Sequence, residues 1–436
     1  MISFQVFILI IFLELLIIFM VFRDIISPPV LFSIIFFIVV CMLSIFEKYW
    51  AVSIQPITFY IVTGSIALFA LGSFIPLVIG GFFSRTTKAS INFKPIIIDK
   101  SIITFFKCFY ILTDIIMILF VIVTARRYSG TNNLLSMIGI VNSLLKDSSV
   151  TFPPVFSRMV TITVDSSYVW LFITVYNYIA NKKIDKVTLK LLIISLLCSI
   201  LSGSRGEAIS AIIIGAITYI NIIKCTGRLK RIKLRTIVKL LIGMVVVVAI
   251  FQEFGSFLGR DAKLYTPFEY IEIYLAGPLL NFNNHYIYMG DISKLFGEQT
   301  LINFYTNLAS LTRNKKFLVE SPLTYFQANF HNTGNVATVF YPLYYDFGLA
   351  GTFLVMFILG ILMQLFYFRM MKSIVNSNRT FTLSEILYPY LLFLFLRSFF
   401  DNSFFRFLCN FQGVVAILIW YLLSKYLTTT KIKVKN

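Results

Sequence analysis

Apolar runs about twenty residues long recur along almost the whole chain, and this recurrence limits the fold more than any other feature. A helix needs about 20 mostly apolar residues to cross the hydrocarbon core of a bilayer. The runs fall at 2–22, 28–46, 57–83, 102–124, 162–180, 187–203, 207–223, 236–257, 348–368, 384–400 and 411–427. Hydrophobic residues make up 58% of the 436 and charged residues 13%, whereas a soluble domain averages about 45–50% and about 25%. Disorder requires the opposite composition, and a soluble enzyme could not bury so much apolar surface. The expected fold is all-α: a polytopic membrane protein of about 11 (10–12) spans, a single transmembrane domain over 1–436. Residues 2–22 lack a basic leader and a small-residue cleavage site, so they read as a retained span rather than a signal peptide.

The chain carries 38 Lys+Arg against 19 Asp+Glu, a formal net charge of +19. In a membrane protein such an excess marks cytoplasmic loops, not nucleic-acid binding. The 224–239 loop holds Lys224, Arg228, Lys230, Arg231, Lys233, Arg235 and Lys239 with no acid, and the tail holds Lys425, Lys431, Lys433 and Lys435. Both are expected on the cytoplasmic side. Counting spans from them leaves two outer loops, 125–161 and 258–347, and puts the N-terminus outside. Long loops with their own content are usually functional. The stretch PFEYIEIYLAGPLLNF (267–282) reads as amphipathic helices lying on the membrane surface. The run at 57–83 contains Gly64, Gly72, Pro76, Gly80 and Gly81 and is expected to tilt or break. The five cysteines match no zinc, redox or disulfide pattern.

Metal and nucleotide motifs are missing: there is no D-x-D, H-E-x-x-H or P-loop, and only His285 and His331 are histidines. No metal or other cofactor is expected. The sharpest local feature is Ser202-Gly203-Ser204-Arg205-Gly206-Glu207 at an outer turn. Arg205 has the planar fork that suits phosphate oxygens; it could equally pair with Glu207 or snorkel at a tight turn. Gly259-Arg260-Asp261, Arg397 and Arg406 fall on the same expected side, with Arg126 and Arg127. Such a set suits a lipid-linked pyrophosphate, although anionic headgroups also attract interfacial Arg. His331 stands among Asn332, Asn335, Tyr341, Tyr344, Tyr345 and Asp346. It can move protons near neutral pH, or be an ordinary polar loop residue. Tyrosines stack on sugar rings and Asn or Asp bind hydroxyls, while interfacial Tyr also forms the aromatic belt of any membrane protein. Glu14, Asp114 and Glu253 fall in or near apolar runs, where an acid is a functional candidate.

The segments SGSRGEA (202–208), GRDA (259–262), YLAGPLLNF (274–282) and GNVATVFYPLYYDFGLAG (334–351) resemble the Wzy-type O-antigen polymerases, which polymerise oligosaccharide repeat units. The architecture, many spans with one large periplasmic loop, resembles that family over most of the chain. The resemblance implies a GT-C-like helical glycosyltransferase of the bacterial inner membrane that acts at the periplasmic face in lipopolysaccharide biosynthesis. Its implied substrates are undecaprenyl-pyrophosphate-linked oligosaccharides. Its expected partners are membrane lipids and a polysaccharide co-polymerase that regulates chain length. Under this reading Arg205, Arg260, Arg397 and Arg406 hold the pyrophosphate, and Asn335, Tyr341, Tyr345 and Asp346 bind the glycan. The acceptor proton goes to His331, Asp261, Glu207 or Asp346, with His331 preferred. An O-antigen ligase shares these features. A repeat-unit flippase is the rival from another class, and should show more charge within its spans.

Overall fold

The computed structural model describes residues 2–83, 94–147, 149–203, 205–226, 267–290, 293–376 and 380–429; of Arg205 the backbone alone is described. The expected span 236–257, most of the basic loop, Glu253, Arg260 and Asp261 lie outside these residues.

Caps and breakers in the sequence set the helix ends. Helix α1 (Phe4–Phe22) opens on Ser3, whose hydroxyl accepts from Val6 N. Helices α2 (Pro28–Ile45) and α3 (Pro56–Phe83) both start on proline, where the missing N–H costs nothing. Helix α4 (Lys100–Ser129) is capped by Asp99 and stopped by Gly130 at φ +65°. Arg126 and Arg127 therefore belong to its last turn, where cations suit the helix dipole. Helix α5 (Leu134–Lys146) follows, and α6 (Pro154–Asn181) again starts on proline. The expected outer loop 125–161 is thus largely helical. Helices α7 (Lys186–Leu201) and α8 (Arg205–Cys225) complete the first part.

The segment between 267 and 347 is folded. It contains α9 (Pro267–Leu275), α10 (Gly277–Asn281), a wide turn (Phe282–Tyr286) and α11 (Ile302–Thr312), then a hairpin of β1 (Phe326–Ala328) and β2 (His331–Gly334). All five residues of α10 are buried. The expectation that 267–282 lies on the membrane surface fails at α10, because its short apolar turn packs inside the protein. Helix α12 (Phe340–Asn376) follows, with a break at Gly348 (φ 61°, ψ −164°), where the apolar run was expected to begin. Helices α13 (Leu383–Leu396), α14 (Ser403–Leu408) and α15 (Phe411–Thr429) close the chain.

Among the described residues seven helices are long and apolar enough to cross a membrane: α1, α2, α3, α4, α6, α8 and α12. The runs 187–203 and 384–400 instead form helices of 16 and 14 residues. The protein is helical and multi-pass, with strand confined, among the described residues, to the small hairpin.

Two compact units share these elements. The first comprises Met1–Lys88, Phe268–Arg369 and Leu391–Val414. Its long helices meet through small residues, as expected where lipid offers no hydrophobic drive for helix association. A Cβ on Gly72 would lie 2.0 Å from the Phe357 carbonyl oxygen, and one on Gly360 would lie 2.1 Å from that of Phe69. Ser73 Oγ donates to Gly360 O at 3.1 Å across the same contact. The glycines of α3 therefore admit α12, and the helix runs unbroken from Pro56 to Phe83. The stacked rings of Phe32, Phe69 and Phe395 fill the space beside it. At one end Tyr367 donates to Asp24 Oδ2. At the other, Ile2 bridges Ile54, and the 46–55 turn meets the 267–347 segment. The start of α1 and that segment thus share an end.

The second unit comprises Ala89–Pro267, Met370–Tyr390 and Val415–Asn436. Met117, Val121, Ala125, Met137, Val141, Phe156 and Cys198 form a core among α4, α5, α6 and α7.

Candidate functional site

Asn281, 1% exposed, organises the polar end of the first unit. Its Nδ2 donates to Thr333 O at 3.1 Å and Val336 O at 2.9 Å, and its Oδ1 accepts from Thr333 Oγ1 at 2.6 Å. Gly277 lets the backbones approach, since a Cβ there would lie 2.5 Å from Thr333 O. Two segments singled out in the sequence, 274–282 and 334–351, are thereby joined. The hairpin turn has both Asn329 and Phe330 at positive φ, the pairing that two-residue hairpins favour. Asn329 Nδ2 donates to Tyr49 O, which holds the hairpin to the 46–55 turn.

His331 lies flat on Tyr49, with ring centroids 3.8 Å apart and planes 27° apart. Its imidazole makes no hydrogen bond among the described residues, so nothing orients it as a base needs. Glu272 on α9 is 2% exposed, and its Oε1 has no hydrogen-bond partner. Burial, with the charge of Glu269 adding to it, pushes the Glu272 carboxyl up to about 7. Burial and then the charges of Glu272 and Glu269 push the Tyr49 phenol up. Tyr49 is therefore near enough to sense both acids.

Two residues beyond Glu272, Tyr274 stacks on Phe400 with centroids 5.4 Å apart and planes 6° apart. Arg397 lies over the same Phe400 ring at 5.7 Å and pairs with Asp401 at 3.0 Å. Asp401 is fixed in turn by Ser403 N and Oγ. The turn carrying Arg397 is held by Val339 N donating to Ser398 O. The guanidinium thus sits on an aromatic face beside α9, half-exposed and held at one edge.

A second polar group adjoins Tyr341. That residue is 3% exposed and its hydroxyl has no partner. Its ring lies 4.1 Å from Tyr286 and 6.0 Å from Tyr345, and the charge of Arg406 acts on it. Arg406 Nε and Asn402 Oδ1 are buried without partners as well. Buried polar atoms almost always find partners in native proteins. Trp50, Glu272, Thr300, Tyr341, Asn402 and Arg406 carry such unpartnered atoms at this end, and others lie along the helices of both units.

The expected site residues divide accordingly. His331, Arg397, Arg406, Tyr341, Tyr345 and the exposed Asn335 belong to the first unit. Asp346 does too, but its carboxylate is occupied: Oδ1 accepts from Gln299 N and Oδ2 from Thr300 N. It braces the segment before α11. Glu207 belongs to the second unit, where its Oε2 accepts the Tyr168 hydroxyl at 2.5 Å. That bond ties α8 to α6 through one of the two carboxylate oxygens. Gly203, at φ +81°, lies against Asn142 of α5 and shapes the turn before Arg205. Arg260 and Asp261 lie outside the described residues. Among the described residues no three His, Cys, Asp or Glu side chains gather as metal ligands would.

Sequence reading missed Glu272 and Tyr49. Glu272 had a signal, since it is an acid inside the apolar stretch YIEIYL. Tyr49 had none: its pairing with His331 spans most of the chain.

The fold defines a helical multi-pass membrane protein. No family model matches the chain, and no curated protein or solved structure shows significant similarity to it.

Proposed function

We propose that the protein is an O-antigen polymerase of the inner membrane. It joins undecaprenyl-pyrophosphate-linked repeat units at the periplasmic face. One observation carries this reading: two of the four segments that resemble that family are locked together by Asn281 at an end rich in unpartnered buried polar groups. Arg397 and Arg406 supply charge for a departing pyrophosphate, and fixed charges aimed at a leaving group are usually the largest catalytic contribution. The His331–Tyr49 stack and the partly exposed Tyr345 ring, backed by buried Tyr341, offer flat faces to sugars. The bond to the anomeric carbon breaks as an acceptor hydroxyl attacks, and pyrophosphate leaves without needing protonation.

The test is a lipopolysaccharide gel from a strain lacking the gene. Collapse of the ladder to core plus one repeat supports polymerisation, because flipping and ligation still work. Loss of every repeat points to a ligase or a flippase, and an intact ladder refutes the whole class. The flippase reading draws on Glu14 and Asp114, whose buried oxygens in α1 and α4 have no partner.

A further inference from the structure

Resting on the polymerase reading, we propose that Glu272 is the group that takes the proton from the acceptor hydroxyl, with the His331–Tyr49 stack holding the sugar rather than moving its proton. A general base needs a free lone pair, and Glu272 Oε1 has no partner although the side chain is 2% exposed. The Tyr274–Phe400 stack joins α9, the helix that carries Glu272, to the turn that carries Arg397. The sugar platform meets the same helix: a Cβ on Gly334, in the hairpin that carries His331, would lie 3.4 Å from Ile273 Cγ2 of α9, and His331 covers the Tyr49 ring. Of the other candidates among the described residues, Asp346 accepts two backbone N–H groups, Glu207 Oε2 accepts the Tyr168 hydroxyl, and His331 is stacked with no hydrogen bond among the described residues to orient it.

The step balances. The acceptor oxygen bonds the anomeric carbon of the donor sugar while the bond from that carbon to the pyrophosphate oxygen breaks. The bonding pair leaves with the lipid pyrophosphate, whose new charge meets the arginines. The hydroxyl proton passes to the Glu272 carboxylate and from there to water. The charged or titrating groups whose fields link to Glu272 are Glu269 on its own helix and Tyr49 on the 46–55 turn. Since the carboxylate must be ionised to act, and its titration is raised to about 7, the rate should climb through neutral pH and then level.

The experiment uses full-length protein in liposomes, supplied with lipid-linked repeat units extracted from the strain lacking the gene. Glu272→Gln should lower kcat about 100-fold or more, the range typical of a lost general base, with KM for the repeat unit nearly unchanged. His331→Gln should raise KM and leave the pH limb in place. Near-wild-type turnover by Glu272→Gln overturns the proposal while leaving the polymerase reading intact. If that variant does not fold, the wild-type profile decides: a rate flat across neutral pH overturns the proposal equally. The ladder of the deleted strain separates the two failures, because it stays intact only if the polymerase reading itself is wrong.

Discussion

Replacing Asn281 by Ala isolates what holds the candidate site together. The substitution removes three hydrogen bonds at once, two to the carbonyls of Thr333 and Val336 and one from the Thr333 hydroxyl. Each is worth roughly 0.5–1.5 kcal/mol net, and a buried partner left unsatisfied costs about 1–3 kcal/mol. Thr333 is fully buried, so its hydroxyl has no water to turn to. The local loss should come to about 3–4 kcal/mol, allowing for partial relaxation. At about 1.4 kcal/mol per tenfold, opening of the hairpin should become about 100- to 1,000-fold more frequent. Hydrogen exchange in detergent, read by mass spectrometry over 331–338, measures this directly. Exchange in α7, a helix of the second unit, should not change. Asn281→Asp should be at least as damaging, because a carboxylate oxygen would then face two carbonyls. Exchange over 331–338 within threefold of wild type in both variants would refute the view that Asn281 fastens β2 to α10.

Glu272 should also leave a mark on stability. Its folded titration lies above the unfolded value, so the folded state binds the extra proton and stability falls as pH rises from 4.5 to about 7. The total is about 3 kcal/mol, or roughly 3 °C in thermal midpoint for a chain this size; Glu272→Gln should flatten the slope, and an unchanged slope would exclude this carboxyl as its source. Gly360→Ala should lower the thermal midpoint by about 1–3 °C, since overpacking a contact that close costs about 1–3 kcal/mol. Gly206→Ala, with nothing within 4 Å of the added carbon, is the control that should not. Cysteines introduced as Lys315→Cys and Arg231→Cys should be labelled by an impermeant maleimide from opposite sides of the membrane, as the distribution of basic residues requires; same-side labelling would break that topology.

Most of the helical framework was legible in the sequence, because twenty apolar residues in a row have few other uses. Seven of the expected runs became long helices, α1, α2, α3 and α8 within about two residues of their anticipated ends and α4, α6 and α12 overrunning them by five to eight. The departures have local causes. Helix α4 overran its apolar run because Gly130, not the arginine pair, is what stops it. The glycines of α3 looked like a break and are instead a seat for α12, a distinction that depends on the partner and not on the helix. At the site, Arg397 and Tyr341 could be nominated by type and neighbourhood. The assignment of Asp346 and Glu207 to structural hydrogen bonds could not, because Gln299, Thr300 and Tyr168 come to them from distant parts of the chain. The hairpin was missed because seven residues around Asn329 and Phe330 carry no long alternation, and the turn's positive φ values fall on a residue pair that rarely adopts them.

The seating of α12 on α3 has a consequence for biogenesis. Helix α3 ends at Phe83 and α12 begins at Phe340, so about 260 residues are translated between a surface and its partner. At about 5–20 residues per second that interval is roughly 13–50 s. Throughout it the glycine-notched face of α3 is inserted and unfilled, open to any small-residue helix that diffuses past. The ribosome thus completes the second unit's α4 to α8 before the first unit can close. A truncated chain ending before Phe340 should accordingly be a substrate for membrane quality control, however well its remaining helices insert.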